Sequence, residues 1–226
     1  MAKKKKGKRI VKLLKALAIV YMLLVLCNFV GDIYSGLGDT NKTIASEEWN
    51  LIVVNRWNKL PKNYNVELTE LSNGEKVDSR IYPHLQRMFD AARAEGVYPI
   101  VKEGYRTTEE QQELLDDKIQ VYMNEGYSRS RAEKIAKEWV AVPGTSEHEL
   151  GVAVDINAVK SKCSNEVVYT WLAENAYKYG FVLRYPQGKQ EITGISYEPW
   201  HYRYVGAEAA YDIFTRQICL EEYLEQ

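Results

Sequence analysis

The chain has 226 residues, 46% hydrophobic and 27% charged, which is ordinary for one globular domain with a real core plus an extra segment. Its net charge of -1 hides an asymmetry: residues 1–15 carry eight basic side chains and no acidic one, leaving 22 basic against 31 acidic residues in the remainder. An acidic globular part lacks the basic face that phosphate contacts require, which excludes nucleic acid as a partner.

Taken in chain order, residues 1–9 form a basic tail, and Ala16 to Val30 contain no charge at all. The run from residue 10 to residue 30 is long enough for one transmembrane helix if Lys12 and Lys15 snorkel to the head groups. Lysines on its near side alone place the amino terminus in the cytoplasm and everything after it outside the cell membrane. The length of the run favours an uncleaved anchor over a signal peptide cut near Gly36 and Gly38. Residues 31–48, rich in Gly, Ser, Thr and Asp, read as a linker to a domain over 49–226.

Within that domain, Leu85, Met88, Phe89 and Ala92 fall at helical spacing, predicting a helix over Pro83 to Glu95. Val97 to Glu103 reads as a strand delivering Arg106 at its end. Thr107 with Glu110 is a capping-box pair opening a helix to about Asn124, with a solvated face over Glu109 to Lys118. Ser130 with Glu133 repeats the pattern, and the helix it opens is expected to bury Ile135, Ala136, Trp139 and Val140 before Pro143-Gly144. Val152 to Asn157 alternates as a strand, Val167 to Tyr179 is a helix closed by Gly180, and Phe181 to Tyr185 and His201 to Val205 are further strands. The sum is an α+β pattern. Outside the membrane run the cysteines are Cys163 and Cys219, which an extracellular setting permits to pair or to remain two buried thiols.

Two stretches carry the chemistry. Ser146 to Asp155 reads S-E-H-E-L-G-V-A-V-D and Glu198 to His201 reads E-P-W-H, so two of the chain's three histidines lie in them. A catalytic zinc keeps three protein ligands and leaves a position for water, which assigns His148, Asp155 and His201 to the metal and leaves Glu198 as general base. Gly151 lets the loop turn so that His148 and Asp155 converge, and Pro199 bends the backbone so that Glu198 and His201 share one cleft. Trp200 and Tyr202 read as packing that locks the ligand rotamer, and His84, without an acidic or histidine partner at ligand spacing, reads as an ordinary helix residue. Arg106, with its planar fork of donors, suits a substrate carboxylate or a developing oxyanion.

These residues resemble the zinc D,D-carboxypeptidases of the VanY type. The pattern S-x-H-x-x-G-x-A-x-D matches Ser146, His148, Gly151, Ala153 and Asp155, E-P-W-H matches Glu198 to His201, and G-Y-R matches Gly104, Tyr105 and Arg106. Leu51 to Tyr64 also looks like the opening segment of that family, so the likeness runs from about residue 50 to about residue 210. Where the family usually has Ser before G-Y-R, this chain has Glu103. The resemblance implies a small antiparallel sheet flanked by helices, with zinc on the open sheet face, as in Hedgehog and DD-peptidase folds. It also implies removal of D-alanine from peptidoglycan stem peptides, a substrate role for Arg106, and weaker substrate contacts from Gln112 and Ser146. An L,D-carboxypeptidase acting on tetrapeptide stems shares the same metal set, and a non-catalytic wall-peptide binder on the same fold is the alternative from another class. A free carboxylate at Glu198 speaks against the binder.

Overall fold

The computed structural model describes residues 48–225. The expected basic tail, the membrane anchor over 10–30 and all but the last residue of the linker lie outside them. No helix among the described residues is long and apolar enough to cross a membrane.

The architecture is α+β. A hairpin of β1 (Leu68–Glu70) and β2 (Lys76–Asp78) precedes α1 (Tyr82–Ala94), and β3 (Pro99–Glu103) follows. Helices α2 (Thr108–Asn124) and α3 (Arg129–Ala136) come next, then a single 3₁₀ turn (Glu147–Leu150) and β4 (Ala153–Ala158). The chain continues through α4 (Asn165–Asn175), β5 (Phe181–Leu183), the one-turn α5 (Gln190–Thr193) and β6 (His201–Tyr204), and ends in α6 (Ala207–Arg216) and α7 (Leu220–Leu224). The main sheet runs β3-β4-β6-β5 with every neighbour antiparallel.

Alternation along the strands decides what each face does. Val152, Val154 and Ile156 join Tyr202, Tyr204 and Phe181 in a core with Leu85, Met88 and Phe89 of α1 and Val168 and Leu172 of α4. The intervening residues, Asp155 on β4 and His201 and Arg203 on β6, therefore point to the opposite face. Each fully buried aliphatic side chain of the core contributes about 1.5–3 kcal/mol relative to exposure, so a one-residue slip of β4 or β6 would expose the core and bury the polar row.

Several boundaries depart from the sequence reading. The helix expected from Ser130 starts instead after Ser128 and stops at Ala136. Beyond it the Glu138 and Trp139 N–H groups donate three residues back, to the Ile135 and Ala136 carbonyls, which tightens the chain, and the Glu138 carbonyl accepts from the Ser196 N–H at 2.9 Å. As a result Trp139 is 38% exposed instead of buried, and only Ala132 and Ala136 pack fully, against Leu115 and Ile119 of α2. The predicted helix to Tyr179 ends at Asn175 and tightens into a 3₁₀ turn over Ala176–Tyr179, closed by Gly180 at φ 86°. Cys163 and Cys219 are both free thiols, Cys163 beside the Tyr98 backbone and Cys219 capping α7. The hairpin and the two C-terminal helices had no expectation against them.

Candidate active site

The polar row lies across three adjacent strands. Strand register sets Glu103 opposite Asp155 and Asp155 opposite His201, so one line of pairing carries three chemically active side chains. His148 reaches the same point from the 3₁₀ turn. Ser146 caps that turn by accepting from the His148 N–H at 3.4 Å, and Glu149 answers by accepting from the Ser146 N–H at 3.2 Å. Gly151, at φ 75°, then turns the chain into β4 with its ideal Cβ position only 3.2 Å from the Asp78 nitrogen. The left-handed conformation and the close approach together require glycine there.

Ligand atoms of His148, Asp155 and His201 all lie within 4.8 Å of one another, and the two imidazole rings meet edge to face at 4.8 Å. Asp155 Oδ1 is 3.0 Å from His201 Nδ1 and 3.4 Å from His148 Nε2. Close as these contacts are, neither satisfies hydrogen-bond geometry, and this buried oxygen has no hydrogen-bond partner. An orphaned carboxylate oxygen aimed between two imidazole nitrogens fits a divalent cation shared by all three, and one oxygen with two nitrogens is a zinc-type donor set. His148 is oriented from behind, its Nδ1 2.6 Å from the Gly104 carbonyl, which leaves Nε2 for the ion. Gly104 is itself held by the hairpin, its N–H donating to Glu75 Oε2 at 2.9 Å. A Cβ at residue 104 would collide with the Lys76 carbonyl.

Glu198 sits in the turn that enters β6, where the His201 N–H donates to its carbonyl at 3.2 Å. Its Oε2 is 3.7 Å from His201 Nδ1, so the turn after residue 198 brings the carboxylate and the ligand into one cleft. Burial pushes the Glu198 carboxyl up to about 7, with His201 pulling against the shift. Burial and the nearby Arg106 lower His148 to about 4. Burial works against charging His201, but Asp155 and Glu147 on its two sides carry it up to about 9.

A cleft of about 400 Å³ opens over these groups, lined by Arg106, Gln111, Trp139, Ser146, Glu198 and Trp200 among others. Arg106 projects into it with Nη1 donating to Gln111 Oε1 at 2.5 Å and Nε 3.5 Å from Glu103 Oε2. Of the expected substrate contacts, Ser146 lines the cleft but Gln112 does not: it lies on the exposed side of α2, and its neighbour Gln111 is the buried one. Helical phase explains the difference, since Gln111, Leu115 and Ile119 share the inward face at four-residue spacing. Trp200 lines the cleft and Tyr202 belongs to the core, while His84 packs 4.8 Å from Tyr204, away from the site.

A further carboxylate escaped the sequence reading. Glu147, wholly buried, accepts from Arg184 Nε at 2.8 Å and lies 2.8 Å from Arg203 Nη1, while Arg184 makes a two-pronged pair with Glu221 at 2.8 and 2.6 Å. Burial alone would raise the Glu147 carboxyl, but the two guanidinium groups hold it well below the usual carboxylate range. Arg184 and Arg203 fall within the expected strands Phe181 to Tyr185 and His201 to Val205, but only the fold shows that both are buried and that Glu147 is the acidic partner they require.

Residues 74–207 match the family model described as VanY: D-alanyl-D-alanine carboxypeptidase. The chain belongs to this family. A VanY-family relative from Enterococcus faecalis, named D-alanyl-D-alanine carboxypeptidase, is 60% identical over 178 residues, covering 79% of this chain and 66% of its own length. The chain thus spans just under two thirds of that relative. Two solved VanY structures are each 60% identical: a vancomycin resistance D,D-pentapeptidase mutant in complex with Zn(II), with TM-score 0.77, and VanYB in complex with D-alanine-D-alanine, with TM-score 0.78. They cover 78% and 79% of this chain, and in each case the match takes in 99% of the other chain.

Proposed function

We propose that this chain is a zinc-dependent D,D-carboxypeptidase that removes the terminal D-alanine from peptidoglycan stem peptides. The observation that carries the reading is the convergence of His148, Asp155 and His201 within 4.8 Å, with the buried carboxyl of Glu198 beside them. The VanY-family relative bound to Zn(II) and the one bound to D-alanine-D-alanine support the same metal and the same class of substrate. His148 Nε2, an Asp155 oxygen and His201 Nδ1 would hold the ion. When bound, zinc supplies Lewis acidity, polarising a carbonyl and making water acidic enough to react near neutral pH.

The chain's own residues supply the rest. Glu198, lifted toward neutrality by burial, is placed to accept a proton from the attacking water and return it to the departing amine of D-alanine. Arg106, steadied by Gln111 and Glu103, presents the remainder of its guanidinium to the cleft, where it can grip the free terminal carboxylate of the substrate. Leu114 and Trp139, both more than a third exposed, offer apolar walls for the peptide.

The uncharged run over residues 16–30, with lysines on its near side alone, supports a single-pass anchor in the cell membrane and a domain facing the wall. Metal analysis of the purified domain, together with release of D-alanine from synthetic pentapeptide and tetrapeptide stems, tests the proposal. One bound zinc and preference for the pentapeptide are expected. Release from the tetrapeptide alone would make the enzyme an L,D-carboxypeptidase, and release from neither would leave a binding protein.

A further inference from the structure

We propose that Glu147 is a positioning residue of the metal centre: clamped by Arg184 and Arg203, its carboxylate fixes the His201 ring so that Nδ1 is left for the cation. The inference rests on the zinc reading above and concerns a residue that touches neither the ion nor the substrate.

Two buried orphans face one another. Glu147 Oε2 and His201 Nε2 each lack a hydrogen-bond partner, and they are 3.9 Å apart. A buried polar atom left unsatisfied is costly, and an approach of about 1 Å would satisfy both at once. The other ring nitrogen, Nδ1, faces Asp155 and Glu198. The two nitrogens thus have opposite tasks: Nε2 carries the proton toward Glu147, and Nδ1 keeps its lone pair for the ion. Glu147 is well suited to impose this choice because it cannot swing away. Its Oε1 is held between two guanidinium groups, and Arg203 is in turn pinned to the carbonyls of Asn50, Ile52 and Tyr204. The contact between Arg203 Nη1 and Glu147 Oε1 is ionic, since its angle falls outside hydrogen-bond geometry.

Glu147→Gln exposes the mechanism. The amide oxygen must remain with the two arginines, because its NH₂ group cannot accept from them, so the NH₂ is turned toward His201. That arrangement favours a lone pair on Nε2 and a proton on Nδ1, which blocks the ligand atom. Glu221→Gln is the control: it removes an equal charge from the same arginine cluster but has no contact with His201.

The experiment measures zinc affinity by chelator competition on wild type and both variants, with urea unfolding of the metal-free proteins alongside. Glu147→Gln should weaken zinc binding by about 10–100-fold, whereas Glu221→Gln should lose stability yet stay within about threefold of wild-type affinity. If Glu147→Gln fails to fold, Glu147→Asp keeps the charge, withdraws the carboxylate by one methylene, and should weaken zinc by about tenfold. Wild-type affinity in a folded Glu147 variant, or equal weakening in Glu221→Gln, would overturn the positioning role. A wild-type domain that binds no zinc would overturn the zinc reading and this inference with it.

Discussion

Replacing Arg184 by Met isolates what the buried charge cluster contributes to stability. The side chain is fully buried and donates three charge-assisted hydrogen bonds, one to Glu147 at 2.8 Å and two to Glu221 at 2.8 and 2.6 Å. Met fills a similar volume, so little of the loss comes from a cavity. It comes instead from two carboxylates that each lose a guanidinium: among the described residues Glu147 keeps Arg203, and Glu221 keeps the Asn55 amide at 3.0 Å. Removing one partner from a buried ion cluster costs about 3–5 kcal/mol, a large part of the ~5–15 kcal/mol that holds a domain together. Urea unfolding at pH 7 should show that loss.

The pH dependence supplies a second check with a definite sign. The folded Glu147 carboxyl is depressed, so its stabilising effect is complete above the unfolded value near 4.3 and fades as pH falls toward the folded value. Wild type should therefore lose about 1.4 kcal/mol per pH unit below roughly pH 4 from this group, and the gap to Arg184→Met should narrow over the same range. A gap below about 1 kcal/mol at pH 7, or one that widens in acid, would refute the reasoning.

Other outcomes follow from the site. Glu198→Gln keeps size but cannot accept the proton, so zinc should be retained and turnover should fall by about 10²-fold or more, measured as kcat for D-alanine release. Arg106→Lys keeps charge but loses the fork, and a rise in KM with little change in kcat is expected if the guanidinium grips the substrate carboxylate; a fall in kcat would move its role to the oxyanion. Gly104→Ala drives a methyl group into the Lys76 carbonyl and displaces the acceptor behind His148. It should cost about 1–3 kcal/mol in unfolding experiments and weaken zinc binding as well. A domain beginning at residue 48 should fold and release D-alanine without the preceding segment, checked by circular dichroism and the same assay.

The residues that converge at the candidate metal site were legible in the sequence because each lies in a short motif whose residue types have few other uses together. Period-two alternation in V-A-V-D-I-N gave the face of Asp155, and the proline in E-P-W-H gave the turn that joins Glu198 to His201. What stayed hidden depends on contacts between distant segments. Whether Gln111 or Gln112 faces the cleft turns on helical phase, which moves by 100° with a single residue of offset. Just past the stop at Ala136 the Glu138 carbonyl accepts from Ser196, a distant partner that no local pattern records. Glu147, Arg184, Arg203 and Glu221 lie far apart along the chain, and only their pairing makes burial of the four charges tolerable.

The bond between Asn55 and Glu221 joins positions 166 residues apart, and Asn50 reaches Val205 across 155. Such pairings are slow to form, because the entropy of closing a long loop is spent before the contact gives anything back. A chain synthesised from its amino terminus cannot complete the cluster behind His201 until residue 221 has appeared, so the platform for the metal is among the last parts to mature. On the zinc reading, a chain that ended before residue 221 would hold His201 without this buried support.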